Sequence, residues 1–115
     1  MHIDKYSFGN IRIDGRDYSQ DVILLGDEVQ GPWWREAGGH VYALQDLGDL
    51  VAAAPEVVVL GTGYFGRVTV LDETLTALAE AGSEIVVEKT GGAVEYYNRF
   101  VKDGRDVAAA LHLTC

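Results

Sequence analysis

The segment Val57-Val58-Val59-Leu60 constrains this chain more than any other. Four consecutive apolar residues, three of them β-branched, point side chains to both faces of a strand, so both faces must be covered. A second run of this kind, Ile85 to Val87, follows after one helical interval, and a third, Val107 to Leu113, after another. The first interval predicts a helix capped by Asp72 that buries Leu75, Leu78 and Ala79 and ends at Gly82. The second predicts a helix capped by Thr90, with Val94, Tyr97, Phe100 and Val101 as its inner stripe and Gly104 after its end. Strands and helices alternating in this way imply an α/β domain with helices packed on a central sheet. Its crossovers are right-handed where the strands are parallel.

The amino-terminal quarter reads as a β meander. Ile11 and Ile13 alternate with Asn10 and Arg12, and Asp14-Gly15 follows. That dipeptide favours a type I′ hairpin turn, whose two central residues need positive φ. The return strand is Arg16 to Tyr18, and the run from Asp21 to Leu25 continues the β character until Gly26-Asp27. Between Gln30 and His40, Gly and Pro preclude regular structure, and the adjacent Trp33 and Trp34 cannot share one environment, so one is expected to stay partly exposed. Leu44, Leu47, Leu50, Val51 and Ala54 then follow helical spacing, with Asp46 and Asp49 near the positive end of the dipole and Pro55 as the stop.

At 115 residues the chain is expected to fold as a single domain, 1–115, around one core. Its one cysteine, Cys115, excludes an internal disulfide. A formal net charge of −9 argues against a nucleic-acid surface, which requires clustered Lys and Arg. The first residues lack the pattern of a signal peptide and no apolar run approaches bilayer length, so a cytoplasmic protein without a membrane partner is expected.

Gly61-Thr62-Gly63-Tyr64-Phe65-Gly66 satisfies G-x-G-x-x-G directly after a strand. In a dinucleotide site such a loop leads into a helix whose amides face the pyrophosphate. Here Arg67-Val68-Thr69-Val70 is β-like, the helix waits until Asp72, and a glycine turn for close packing is the better reading. No cofactor is expected. If the strands before Gly61 and Lys89 lie parallel and adjacent, Gly61, Thr62, Gly63 and Arg67 emerge beside Thr90, Gly91 and Gly92. That rim predicts a small anion-tolerant cleft, with Arg67 holding the anion and His112 as acid or base if the topology brings it near. His112 and Cys115 are three apart in an extended segment and face opposite sides, which disfavours a thiol–imidazole pair. The three histidines and Cys115 show no metal-ligand spacing.

Several separated segments resemble a known family: Trp34-Arg35-Glu36 with His40, Val59-Leu60-Gly61-Thr62-Gly63, Thr90 with Ala93-Val94 and Tyr97-Asn98, and Arg105 to Cys115 ending His112-Leu113-Thr114-Cys115. Together they are similar to the small domain shared by archaeal and bacterial proteins, a human adipogenesis-associated protein and a mitochondrial complex I assembly factor. The resemblance covers nearly the whole chain. It implies a three-layer α/β fold with a mixed central sheet, an added β portion and no established catalysis. It also highlights Trp34, Arg35, His40, Gly61, Gly63, Thr90, Tyr97, Asn98, Arg105 and His112. The eukaryotic relatives act in assembly through protein partners.

Two functions are therefore expected to compete. The leading one is an interaction or assembly module, contacting a protein partner or a second copy through Trp33, Trp34, Arg35 and His40 and through the carboxyl edge of the sheet. The alternative is a binder of a small anion, or an enzyme, at the glycine rim. A concave pocket with convergent polar groups favours ligand chemistry, whereas a flat aromatic patch favours a protein.

Overall fold

The computed structural model describes all 115 residues. Strands β1 (Ile3–Ser7), β2 (Asn10–Ile13) and β3 (Arg16–Tyr18) form an antiparallel three-stranded sheet. Asp14 and Gly15 join the last two with φ of 48° and 80°, as the hairpin turn requires. The meander does not continue as one sheet. Strands β4 (Val22–Leu25) and β5 (Glu28–Gln30) belong instead to the central sheet. A two-residue strand β6 (Val41–Tyr42), a 3₁₀ turn (Leu44–Asp46) and helix α1 (Gly48–Ala53) follow.

Strand β7 (Val57–Thr62) is buried at every residue and runs two residues further than the apolar pattern, through Gly61 and Thr62. Next come β8 (Thr69–Val70), which pairs with β6, helix α2 (Asp72–Glu80), β9 (Glu84–Glu88), helix α3 (Thr90–Lys102) and β10 (Val107–His112). The central sheet has the order β5-β4-β10-β7-β9. Strands β10, β7 and β9 are parallel, and β4 and β5 are antiparallel, so the sheet is mixed.

The period of two along each strand sorts side chains into two cores. Val57, Val59, Ala109, Leu111, Val22 and Leu24 meet α3 and the three-stranded sheet through Tyr97, Val94, Ile3 and Ile11. Val58, Leu60, Ala108, Ala110 and Ile23 face the other way, toward Leu50, Leu78, Tyr42 and Leu47. Three layers result. The crossover from β7 to β9 and that from β9 to β10 run in opposite directions across the sheet. Right-handed connections then place α2 and α3 on opposite faces, as observed.

Several local expectations are corrected. Asp72 and Thr90 are first helical residues rather than caps, and the cap positions Leu71 and Lys89 make no side-chain cap bond. Ala79 is exposed. The run Ile85 to Val87 lies on an edge strand and is only half-buried, with Val87 exposed, because no strand covers its outer side.

Candidate functional site

The chain reverses its path across the sheet between β7 and β10, where His112 pairs in register with Thr62. Ligands of open α/β sheets gather at the carboxyl ends flanking such a point. Antiparallel β4 begins there too, which brings Asp21 beside the end of β10.

Asp21 is the hub of a polar network. Its Oδ2 accepts from Arg35 Nη1 at 2.7 Å and from His112 Nδ1 at 2.7 Å, and its Oδ1 accepts from the Leu113 amide at 2.9 Å. The side chains of Arg35, His112 and Asp21 are 3%, 8% and 16% exposed. Burial by itself raises the Asp21 carboxyl, but the hydrogen bonds from His112, Leu113 and Arg35 outweigh it and hold the group below the usual carboxylate range. An ionised acceptor assigns the Nδ1 proton to the ring, so the neutral imidazole carries its lone pair on Nε2. Arg35 Nη2 lies 3.2 Å from the same Nδ1, a close approach of two donors rather than a bond. Nη2 itself donates to the Gly39 carbonyl, and Nε reaches the Gly38 carbonyl at 3.4 Å.

Aromatic rings hold this network in place. The Arg35 guanidinium carbon lies 4.8 Å from the Trp33 ring centre and 5.2 Å from that of Tyr42. Trp33 and Tyr42 pack with centroids 5.4 Å apart, and the Tyr42 hydroxyl donates to the Gly61 carbonyl at 2.6 Å. Trp34 makes no such packing contact and is 74% exposed. The exposed His40 sets its ring edge-on to His112 at 5.7 Å. A cavity of about 450 Å³ opens between Trp33, Trp34, Arg35, Gln20, His112 and Thr114.

The glycine rim is arranged differently from the expectation. Its two segments do surface together, yet they close on each other. The Gly63 amide donates to Thr90 Oγ1 at 2.9 Å, the Thr90 amide to the Gly63 carbonyl at 3.0 Å, and the Thr90 hydroxyl to the His112 carbonyl at 2.6 Å. A Cβ on Gly61 would stand 2.8 Å from Leu111 Cδ2, and one on Gly63 would stand 2.6 Å from the Cys115 carbonyl oxygen. Thr62 spends its hydroxyl on the Glu88 carbonyl, and Gly92 sits against the Glu88 carboxylate, while Gly91 has open space around it. The expected recess is thus filled by packed chain, and none of the five cavities is lined by Gly61, Gly63, Thr90, Gly91 or Gly92. Arg67 does not line the cavity that His112 lines, so the two do not share that site.

Where a recess was expected, the rim carries a cluster of exposed aromatic rings. Phe8, Tyr64 and Phe65 are each about half exposed and touch one another, with centroid separations of 5.6, 6.2 and 5.0 Å. Tyr6 supports Tyr64 from below, its hydroxyl donating to the Leu113 carbonyl at 2.8 Å; burial pushes its phenol up to about 12. The Arg67 guanidinium lies 5.9 Å from the Phe65 ring.

Sequence reasoning assigned His112 to the glycine rim and Trp33, Trp34, Arg35 and His40 to a separate interaction set; the structure places His112 with the second set instead. It missed Asp21, Thr114, Phe8, Tyr64 and Phe65 as site residues. A carboxylate immediately before the apolar strand Val22–Leu25 was the one available signal for Asp21. Asn98 and Tyr97 divide their tasks as their adjacency requires. Tyr97 enters the core, while Asn98 brackets β1 by accepting from the Ile3 amide at 2.9 Å and donating to its carbonyl at 2.8 Å. Arg105 pairs with Glu56 and Glu84 away from either site. No hydrogen bond joins Cys115 to His112, and no group of three or more His, Cys, Asp or Glu converges.

The fold and the reversal point define a three-layer α/β domain with a mixed central sheet. The chain belongs to the family described as protein of unknown function (DUF498/DUF598), which matches residues 3–112. It is similar to the solved structure of MT938, with 27% identity over 99% of this chain and 98% of that one and a TM-score of 0.83. A conserved hypothetical protein of Pyrococcus horikoshii, PH1505, shares the fold at 20% identity, full coverage of both chains and a TM-score of 0.83. So does a Bartonella henselae protein called an outer membrane protein, at 24% identity, 98% and 94% coverage and a TM-score of 0.84. No curated protein matches the sequence. No helix of this chain is long and apolar enough to cross a membrane.

Proposed function

We propose that this domain is a protein-interaction module that docks an acidic, apolar segment of a partner on the face formed by Phe8, Tyr64 and Phe65. The observation that carries the reading is the mutual contact of three half-exposed aromatic rings beside a free guanidinium. Single exposed apolar residues are ordinary, whereas a contiguous group rimmed by charge marks a contact surface. Tyr and Arg are also the residues that dominate binding energy at interfaces.

Charge selects the occupant. Arg67 lies in the face, and Lys89 packs along Gly66 at its border, on a molecule of net charge −9. Two copies that each carry a net charge of −9 repel one another, which disfavours self-association. Carboxylates on a different partner meet both cations instead. An assembly role in the cytoplasm, like that of the eukaryotic proteins the sequence resembles, is one form of this reading.

The test is a titration of the isotope-labelled domain with a synthetic peptide in which Glu alternates with Leu and Phe. Shifts centred on Phe8 and Tyr64 to Arg67, weakened at least tenfold by Arg67→Glu, are expected. Shifts elsewhere, or binding indifferent to Arg67→Glu, would refute the reading. A wild-type dimer dispersed by Phe65→Ser in sedimentation would replace the partner by a second copy.

A further inference from the structure

We infer that the recess between Trp33, Trp34 and His112 is a binding site for a small planar molecule that offers an N–H or O–H donor to His112 Nε2. It is a separate site from the aromatic face and stands or falls independently of it.

The first argument is the accounting of polar groups. Both oxygens of Asp21 are filled by three donors, and the Arg35 guanidinium is spent on Asp21 and the Gly38 and Gly39 carbonyls. Neither is free for a ligand. His112 differs. Its Nδ1 is committed to Asp21, while Nε2 has one long contact, 3.4 Å to Thr114 Oγ1, inside a side chain only 8% exposed. A ligand N–H or O–H that replaces this long contact gives Nε2 a shorter and better-formed hydrogen bond. The Asp21 carboxylate behind the ring fixes the tautomer, which leaves Nε2 as the acceptor of the neutral ring.

The second argument is shape. About 450 Å³ is room for a small organic molecule. Both tryptophans line the recess: Trp33, whose ring packs on Tyr42, and Trp34, which is 74% exposed. A flat ring entering the recess covers apolar surface that the free protein leaves in water.

The third argument is charge, and it reverses the anion expected from the sequence. No unpaired cation faces the recess, Asp21 and Arg35 offset each other's charge there, and the whole molecule is acidic. A neutral or cationic ligand fits, and an anionic one does not.

Indole and 1-methylindole test the inference, because they share shape and differ in the donor. Benzoate supplies the anionic arm. Each is titrated into the full chain while the His112 ring nitrogens and the Trp34 indole are followed by NMR. Indole is expected to move the His112 Nε2 resonance and to bind at least tenfold more tightly than either of the others. Trp34→Ala, at a site too exposed to affect folding, is expected to weaken indole at least fivefold. Equal binding of indole and 1-methylindole would overturn the hydrogen-bonding role of His112. Benzoate binding as tightly as indole, or an absence of shifts at His112 and Trp34 with millimolar indole, would overturn the site.

Discussion

Replacing Asp21 by alanine removes the single acceptor on which Arg35, His112 and the Leu113 amide converge. Its cost depends on whether the Asp21–Arg35 pair behaves as a surface or a buried ion pair. An exposed pair is worth at most about 1 kcal/mol. With side chains only 3% and 16% exposed, this pair belongs to the other class. There, loss of one partner strands a buried charge and costs about 3–5 kcal/mol. In a domain near this size each kcal/mol lowers Tm by roughly 4–8 °C, so a fall of at least about 12 °C is expected. Urea unfolding followed by far-ultraviolet circular dichroism is the suitable assay, because Trp33 and Trp34 fluorescence would report the local change. A double variant, Asp21→Leu with Arg35→Met, leaves no unpaired charge and is expected to recover at least half of the loss. A cost below about 1 kcal/mol for Asp21→Ala, or a double variant as damaged as the sum of its parts, would refute the reasoning.

The same carboxylate predicts a pH dependence. Its folded pKa lies below the unfolded value of about 3.9, so its contribution is complete above that pH and is lost as pH falls through the folded value. Asp17, hydrogen-bonded by Arg12, and Glu56, hydrogen-bonded by the Asp106 amide, are lowered as well, so the Asp21 share is read as the difference between wild type and Asp21→Asn in acid unfolding. Thr90→Val keeps the shape but orphans the Gly63 amide and the His112 carbonyl at a fully buried position, with a cost of about 1–3 kcal/mol for each group in chemical denaturation. Thr90→Ser is expected to recover most of it. Gly63→Ala combines a φ of +104° with a Cβ aimed at the Cys115 carbonyl, so a strain of about 1–3 kcal/mol and faster hydrogen exchange at the Tyr64 and Arg67 amides are expected. Gly91→Ala, with nothing within 4 Å, serves as the tolerated control.

Much of the fold was legible in local pattern. The doubly apolar runs at Val57 and Val107 could be satisfied only by layers on both sides, and alternation along those strands sorted their side chains into the two cores that form. Asp14-Gly15 marked its turn because only two positive φ angles close it. Less was legible where a residue's environment depended on what lay beyond its own element. Ile85 to Val87 has the composition of a buried strand but ends up at the sheet edge. Thr90 has the chemistry of a cap, yet its hydroxyl is taken by Gly63, just past the end of β7, and by His112, at the end of β10.

The amino-acid sequence by itself determined the layered α/β architecture, because side-chain periodicity and turn chemistry act over a few neighbouring residues. Only the tertiary structure decided the sites. Asp21 meets His112 across 91 positions because β4 pairs antiparallel with β10, and the carboxyl-terminal residues fill the glycine rim because β10 lies beside β7. Strand order and register are settled by the packing of the whole core, and no local pattern encodes which strand ends will share a surface.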